Sequence, residues 1–178
     1  MNKGLESKIN AIILPGNSSE NRNWLPLVAN ILQQKNYNLI EIHYKHWETG
    51  NELIDFREET LRLAEIAKKV NPFIIVAKSA GVILCLKAIA ERLIKPKRAI
   101  FLGFPLSWAK ELKLPFDDWL PKLIIPTIFF QQTDDPVGSA SEVFTYLKTK
   151  VGSQCSFREL TGSDHWYGEQ EFQLVKET

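Results

Sequence analysis

The sequence predicts an α/β fold with a doubly wound, mostly parallel sheet of about six strands and helices on both faces. Two observations predict it. Short apolar runs alternate with longer amphipathic stretches, which is typical of repeated strand and helix units. Several of the short runs, such as residues 73–77 (FIIVA), are apolar throughout, as expected of strands that are covered by helices on both sides.

Six short apolar or alternating runs, each followed by a turn, are the predicted strands. In chain order they cover residues 10–14, 39–43, 73–77, 99–102, 127–131 and 156–160. Pro72 and Pro126 stand at or just before strand starts, where a missing backbone donor is tolerated.

The amphipathic stretches are the predicted helices, and they cover residues 24–34, 52–70, 80–93, 139–150 and 167–176. In the second stretch the apolar residues recur at helical spacing, which buries one face. Residues 105–121 contain two Trp and an acidic pair but no clear strand, and they are predicted to form a short helical insertion over the sheet edge. Because no linker or repeat divides the chain, residues 1–178 are predicted to form one domain.

The composition argues against several classes of protein. The 22 Lys and Arg residues nearly balance the 21 Asp and Glu residues, so no nucleic-acid partner is expected. The longest uncharged stretch, residues 23–34, has twelve residues, whereas a membrane span needs about 20. The first residues lack the pattern of a signal peptide, which predicts a cytoplasmic protein. Nothing in the sequence predicts an oligomeric state.

No metal site and no cofactor are predicted. Cys85 and Cys155 lack the CxxC or Cys/His spacing that binds zinc. His43 and His46 lie three residues apart near acidic residues, but a catalytic zinc takes three protein ligands and no clear third one is present.

Polar segments follow the predicted strands at the edge where an open α/β sheet binds its ligands. These segments are 15–19 (PGNSS), 78–81 (KSAG), 132–137 (QTDDPV) and 161–166 (TGSDHW). A nucleophile, carboxylates and an imidazole are therefore expected to meet at one edge of the sheet.

Ser79 is the candidate nucleophile because it lies at a tight turn between a strand and a helix. Small residues two positions before and after it, Ala77 and Gly81, let the strand and the helix approach each other. The start of the helix favours negative charge, and the N–H of Ala80 can point at a developing oxyanion.

A serine hydroxyl needs an adjacent base that a third group orients. His165 is the candidate base, since it alone of the three His follows a late strand in a loop. Its partner is expected in the loop after the preceding strand, where Asp134 and Asp135 are both candidates.

These segments resemble the motifs of the α/β-hydrolase superfamily, and the order of elements is similar through nearly the whole chain. Residues 77–81 (AKSAG) resemble the G-x-S-x-G nucleophile elbow. Residues 133–137 (TDDPV) resemble the acid loop T-x-D-P-V, and residues 162–165 (GSDH) resemble the segment G-x-x-H. The resemblance implies a triad made of Ser79, Asp135 and His165.

The resemblance also implies an oxyanion hole. Residues 15–18 (PGNS) resemble the glycine-containing loop that follows an early strand in the superfamily. The second donor, beside the N–H of Ala80, would be the N–H of Asn17 or Ser18.

The chain departs from the superfamily pattern at a few positions. Ala77 replaces the first glycine of the elbow, and Gln132 stands where a glycine is common. Lys78 places a cation directly before the serine, where it is expected either to attract an acidic substrate or to reach solvent. The chain is also short, which implies an abbreviated six-stranded core without a large lid.

The candidate substrate-lining residues are Lys78, His43, Trp108 and Trp119. An alternative for the two Trp is that they only form the packing surface of the insertion. The predicted function is a serine hydrolase that cleaves an ester, thioester or related acyl bond of a small molecule through an acyl-enzyme. Two alternatives are open: a hydrolase-like binding module without turnover, and an acyltransferase that uses the same triad.

Overall fold

The computed structural model describes residues 9–168, and at its centre is one sheet of six parallel strands. The strands are β1 (Asn10–Leu14), β2 (Asn38–Glu41), β3 (Phe73–Lys78), β4 (Ala99–Leu102), β5 (Thr127–Gln132) and β6 (Cys155–Leu160). Their order across the sheet is β2-β1-β3-β4-β5-β6, and each neighbouring pair is parallel. All six predicted strands are therefore confirmed.

The helices of the described residues are α1 (Asn21–Gln34), α2 (His46–Thr49), α3 (Phe56–Lys69), α4 (Ala80–Ala90), α5 (Leu106–Glu111), α6 (Phe116–Trp119) and α7 (Ala140–Leu147). A 3-10 turn, Leu120–Lys122, follows α6. The segment 105–121 thus forms the short helical insertion that its sequence predicts. Within residues 9–168, no helix is both long and apolar enough to cross a membrane.

Side-chain caps explain why two helices begin later than the hydrophobic pattern predicts. The carboxylate of Asp55 accepts hydrogen bonds from the N–H groups of Arg57 and Glu58, so α3 begins after it rather than at residue 52. Ser139 and Glu142 form a capping box that starts α7 at the next residue. The helix predicted over 167–176 lies mostly outside the described residues, and its first two residues, which are described, are in no helix.

Helices cover both faces of the sheet, as the doubly wound prediction requires. Successive strand residues point to opposite faces, so β1 gives Ile12 to one core and Ile13 to the other. The first core lies under α3, α4 and α7, and the second lies under α1.

The strand order creates a crevice at the carboxyl ends of β1 and β3. After β1 the chain moves outward to β2 and then returns to β3 on the other side of β1. Connections that leave two neighbouring strands in opposite directions open a crevice between them, and ligands of open α/β sheets bind at this switch point. The loops that follow β1 and β3 contain residues 15–18 and Ser79.

Candidate active site

Ser79 alone forms the turn between β3, which ends at Lys78, and α4, which begins at Ala80. Its backbone has φ 52° and ψ −114°, a combination that non-glycine residues rarely adopt. The N–H of Ser79 donates to the carbonyl of Leu102 at 3.0 Å. Strained backbone of this kind is concentrated at functional sites, where the surrounding structure holds it in place.

Gly81 allows this sharp turn to pack against β1. A Cβ atom at this position would lie 2.3 Å from the carbonyl oxygen of Leu14, well inside contact distance. The N–H of Gly81 also donates to the carbonyl of Pro15 at 3.0 Å. The glycine two residues after Ser79 is therefore required by a close backbone approach.

Asp135 contacts His165 directly. The Nδ1 atom of His165 lies 2.7 Å from Oδ2 and 2.9 Å from Oδ1 of the Asp135 carboxylate. Asp135 is 3% exposed, whereas the side chain of Asp134 faces solvent. Of the two neighbouring aspartates, the structure brings only Asp135 to the imidazole.

The hydrogen bond to Asp135 determines which imidazole nitrogen is free. A carboxylate only accepts, so Nδ1 of His165 donates to Asp135, and in the neutral imidazole Nε2 carries the lone pair. Nε2 is buried and has no hydrogen-bond partner within residues 9–168. The hydroxyl of Ser79 is therefore not bonded to it in this structure, although both residues line the same cavity. Catalytic hydrogen bonds are often long before substrate binds.

A cavity of about 640 Å³ lies over this edge of the sheet. Of the predicted site residues it is lined by Ser79, His165, Asn17, Ser18, Lys78 and Trp108. Its remaining walls include the acidic residues Glu20, Glu111 and Asp164 and the aromatic residue Trp166. A volume of this size is in the range of small-molecule binding sites.

Two of the predicted substrate-lining residues, His43 and Trp119, do not line this cavity. The side chain of His43 is 51% exposed and lies 3.8 Å from the carboxylate of Glu41. Trp119 packs against Phe116 within the insertion, as the alternative interpretation of the aromatic residues held. In the described part of the chain, no group of three or more His, Cys, Asp or Glu residues is arranged to hold a metal ion.

Candidate oxyanion donors lie on both sides of Ser79. Within residues 9–168, the N–H groups of Ala80, Asn17 and Ser18 donate to no backbone carbonyl. Ala80 is the first residue of α4, where the helix dipole favours negative charge. The structure thus leaves donors available in both loops that the sequence singled out.

Four hydrogen bonds fix the position of Asn17. Its carbonyl oxygen lies 2.8 Å from Nε2 of His46 and accepts from Nε1 of Trp47 at 2.7 Å. Its side chain donates to the carbonyl of Glu52 at 2.8 Å and accepts from the N–H of Ile54 at 2.9 Å. His46, which the sequence suggested only as a weak metal ligand, therefore anchors this loop through the backbone.

Lys78 is buried, although its sequence position left open that it reaches solvent. It is 2% exposed, and its Nζ donates to Oδ1 of Asn21 at 3.0 Å. The ammonium also lies 4.4 Å from the ring of Trp166 and 5.3 Å from the ring of Trp24, within the range of cation–π contacts.

Burial of Lys78 destabilises its charged form. Loss of hydration lowers the pKa of its amine to about 7 from the usual 10.5, although the negative charges of Asp164, Asp135 and Glu20 partly offset this effect. The amine beside Ser79 therefore changes its charge near neutral pH.

Replacing Lys78 with Met is expected to change how stability depends on pH. Between pH 7 and pH 10.5 the unfolded chain holds a proton on Lys78 that the folded protein has lost, so the contribution of Lys78 to stability rises with pH over this window. Relative to Lys78→Met, the wild type should gain about 4 kcal/mol in free energy of unfolding from pH 6 to pH 10. Urea unfolding at the two pH values measures this gain.

The control for this prediction is Lys68→Met. Lys68 is 67% exposed and pairs with Glu65 on the surface of α3, so its replacement should leave the pH dependence close to that of the wild type. Parallel stability curves for the wild type and Lys78→Met would contradict the assignment of this pH dependence to Lys78.

Two glutamines at the end of β5 organise the acid and histidine loops, and sequence analysis did not identify them as functional. Gln131 donates to Oδ2 of Asp135 at 3.1 Å. Gln132 accepts from the N–H of Asp164 at 2.9 Å, and so holds the loop that ends at His165. One feature of the sequence could have identified these glutamines: they are polar residues at the end of an otherwise apolar strand, directly before an acidic loop.

Tyr167 is a further residue near the reactive groups that sequence analysis missed, since it was assigned to a helix. Its hydroxyl donates to Oδ2 of Asp135 at 2.6 Å. Gln131 donates to the same oxygen, and the N–H of Val137 donates to Oδ1 at 2.8 Å. Each oxygen of the Asp135 carboxylate therefore has a hydrogen-bond donor in addition to His165.

Comparison with known proteins identifies the fold. No protein-family model and no curated protein sequence matches the chain. Among solved structures, an uncharacterized protein from Bacillus cereus ATCC 10987 is similar with a TM-score of 0.74 and 20% identity, over 99% of this chain and 61% of that one. Naproxen esterase (carboxylesterase NP) from Bacillus subtilis gives a TM-score of 0.73 at 10% identity, over 97% of this chain and 82% of that one.

A third similar structure is alpha/beta hydrolase domain-containing protein 10 from mouse, with a TM-score of 0.71 and 13% identity over 93% of this chain and 86% of that one. These similarities, together with the six-stranded parallel sheet and its flanking helices, show that the chain has the α/β-hydrolase fold. The resemblance drawn from the sequence motifs is thus confirmed for the fold.

Proposed function

We propose that this protein is a serine hydrolase that cleaves an ester, a thioester or a related acyl bond of a small molecule. The observation that carries the proposal is the contact between Asp135 and His165 at a cavity that also holds Ser79 on its strained turn. Fold alone does not establish function, whereas the residues of this site define a chemistry. The similarity to structures named as esterases and hydrolases supports the same class of reaction.

In the proposed reaction, Oγ of Ser79 attacks the acyl carbonyl and Nε2 of His165 takes the hydroxyl proton. Asp135 keeps the imidazole in the tautomer that leaves Nε2 free, and it stabilises the imidazolium once that forms. The N–H of Ala80, with that of Asn17 or Ser18, would bind the tetrahedral oxyanion; one such donor is worth roughly 10² to 10³ in turnover.

Collapse of the tetrahedral intermediate breaks the bond to the leaving group, which takes the proton from His165 and departs. Water then attacks the acyl-enzyme and gives a proton to Nε2 of His165. As the bond to Ser79 breaks and the acid departs, His165 returns that proton to Oγ of Ser79. An acceptor other than water would turn the same steps into acyl transfer. No cofactor is needed for any step.

The proposal is tested by intact mass after treatment with a fluorophosphonate probe, followed by digestion to locate the adduct. We expect one adduct on the wild type, on the peptide that contains Ser79. Ser107→Ala is the matched control, because Ser107 lines the same cavity but its hydroxyl donates to the carbonyl of Val137. This variant should be labelled like the wild type. A folded wild-type protein without an adduct would favour a binding module instead.

A further inference from the structure

Tyr167 has a hydroxyl with a fixed direction. The backbone N–H of Gln132 donates to its oxygen at 3.0 Å, so the phenolic proton is directed to the remaining neighbour, Oδ2 of Asp135 at 2.6 Å. Tyr167 is fully buried, so its side chain is shielded from bulk solvent. The hydroxyl of Tyr167 therefore donates its proton to the carboxylate of Asp135.

The phenol of Tyr167 keeps its proton at ordinary pH and therefore remains a donor to Asp135. Burial, reinforced by the negative charge of Asp135, raises its pKa far above the usual 10.0. Short hydrogen bonds from a neutral hydroxyl to an ionised carboxylate are among the strong ones in proteins. The negative charge of Asp135 is therefore stabilised partly by the hydroxyl of Tyr167 and not by His165 alone.

The ring of Tyr167 is held against the imidazole. The backbone carbonyl of Tyr167 accepts from Nε1 of Trp24 at 2.8 Å. The rings of His165 and Tyr167 meet edge to face, with centroids 5.9 Å apart. Gly103 gives both rings room, because a Cβ there would lie 2.6 Å from Tyr167 and 2.8 Å from His165.

We propose that Tyr167 is a positioning residue of this site: its hydroxyl fixes the carboxylate of Asp135 in the orientation that aligns His165. This inference rests on the proposed hydrolase function and goes beyond it, because it adds a fourth member to the proposed triad. Tyr167 is not among the residues that line the cavity, so it acts on substrate only through Asp135 and His165.

The test is Tyr167→Phe, which removes only the hydroxyl. With one strong donor lost, kcat for an activated ester should fall about tenfold to a hundredfold while KM changes little. Without the hydrogen bond from Tyr167, the Asp135 carboxylate presents more negative charge to His165 than in the wild type and stabilises the imidazolium more strongly. His165 therefore stays protonated to higher pH in the variant. The acidic limb of the kcat/KM profile should therefore move to higher pH by up to about one unit.

Tyr146→Phe is the matched control. The hydroxyl of Tyr146 also donates to a carboxylate, Oδ1 of Asp117 at 2.7 Å, but this pair lies on the surface outside the cavity. It should leave the pH profile unchanged. A loss of activity in Tyr167→Phe without any movement of the acidic limb would indicate a merely structural role and overturn the proposal.

The comparison of the two pH profiles requires that the other charged groups near Tyr167 and His165 are the same in both proteins. The ammonium of Lys78 packs on the rings of Trp24 and Trp166, and Trp166 lies between His165 and Tyr167 in the chain. Asp164 directly precedes His165 in the same loop. Lys78 and Asp164 are present in the wild type and in the variant, so the difference between the two profiles reports on the hydroxyl. Repeating the pair of measurements with Lys78→Met in both proteins should give the same displacement of the limb.

A second replacement decides the matter if Tyr167→Phe does not fold. With 3-fluorotyrosine in place of Tyr167, the ring and hydroxyl remain but the hydroxyl is a stronger donor, so the acidic limb should move to lower pH. An unmoved limb would overturn the proposal. Failure of the wild type to react with the fluorophosphonate probe refutes the hydrolase function itself. Normal labelling of the wild type, with the acidic limb of the kcat/KM profile at the same pH in the Tyr167 variants, refutes only the role of Tyr167.

Discussion

Replacing Ser79 with Ala is expected to lower turnover of an activated ester by about 10⁶ and to abolish labelling by a fluorophosphonate probe. The loss is this large because the variant has no nucleophile at the turn between β3 and α4, and His165 then has no hydroxyl to activate. Initial rates with a nitrophenyl ester and intact-mass analysis measure the two effects.

The fold of Ser79→Ala is expected to remain intact. Alanine is smaller than serine and the side chain of Ser79 makes no capping hydrogen bond to α4, so circular dichroism should match that of the wild type. Ser107→Ala, in the same cavity, should keep both turnover and labelling. Undiminished ester hydrolysis by a folded Ser79→Ala variant would contradict the mechanism.

Replacing Asp135 with Asn is expected to lower kcat by about 10⁴. The side-chain amide of Asn would donate to Nδ1 of His165, which forces the proton onto Nε2. A protonated Nε2 cannot accept the proton of Ser79, so the base is lost. The measurement is kcat for the same ester at the pH optimum of the wild type.

Asp134→Asn is the matched control for this prediction. Asp134 is the adjacent residue, has the same chemistry and is exposed to solvent, and its N–H bonds to the carbonyl of Gly162 independently of the side chain. Its replacement should change kcat less than about twofold, as is usual for surface substitutions. An equal loss in both variants would refute the assignment of the acid.

Local sequence was sufficient to predict the strands and the turn at Ser79. Largely apolar runs define the four inner strands, which are buried on both faces, whereas the edge strands β2 and β6 contain charged residues and are partly exposed. The turn needed a small residue at position 77 and a glycine at position 81, and both requirements are visible in the sequence. The parallel sheet and the helices on both faces followed from the alternation of these elements.

Helix boundaries were predicted less well because side-chain caps compete with the hydrophobic pattern. The predicted helix begins at residue 52, yet the carboxylate of Asp55 binds the first N–H groups of α3 and ends the preceding loop there. Capping energies of about 1 kcal/mol decide such boundaries, and they depend on which rotamer a side chain adopts once the chain has folded.

Only the tertiary structure decided which charged groups meet. The order of strands and loops alone did not decide between Asp134 and Asp135, whereas in the fold Asp135 is buried against His165 and Asp134 is exposed. Lys78 has its amine bonded to Asn21, 57 positions earlier, and packed against Trp166. His43 and Trp119, in contrast, lie away from the cavity although their types suit a substrate site.

Tyr167 shows the limit of local analysis most clearly. Its neighbours in sequence suggested a helix, but its carbonyl bonds to Trp24, 143 positions earlier, and its hydroxyl bonds to Asp135. Contacts between such distant residues depend on the order of strands in the sheet and on the packing of α1 beside them. The sequence by itself therefore determined the elements and the nucleophile turn, whereas the environment of each ionisable group was decided by the fold, because burial and hydrogen-bond partners come from segments far apart in the chain.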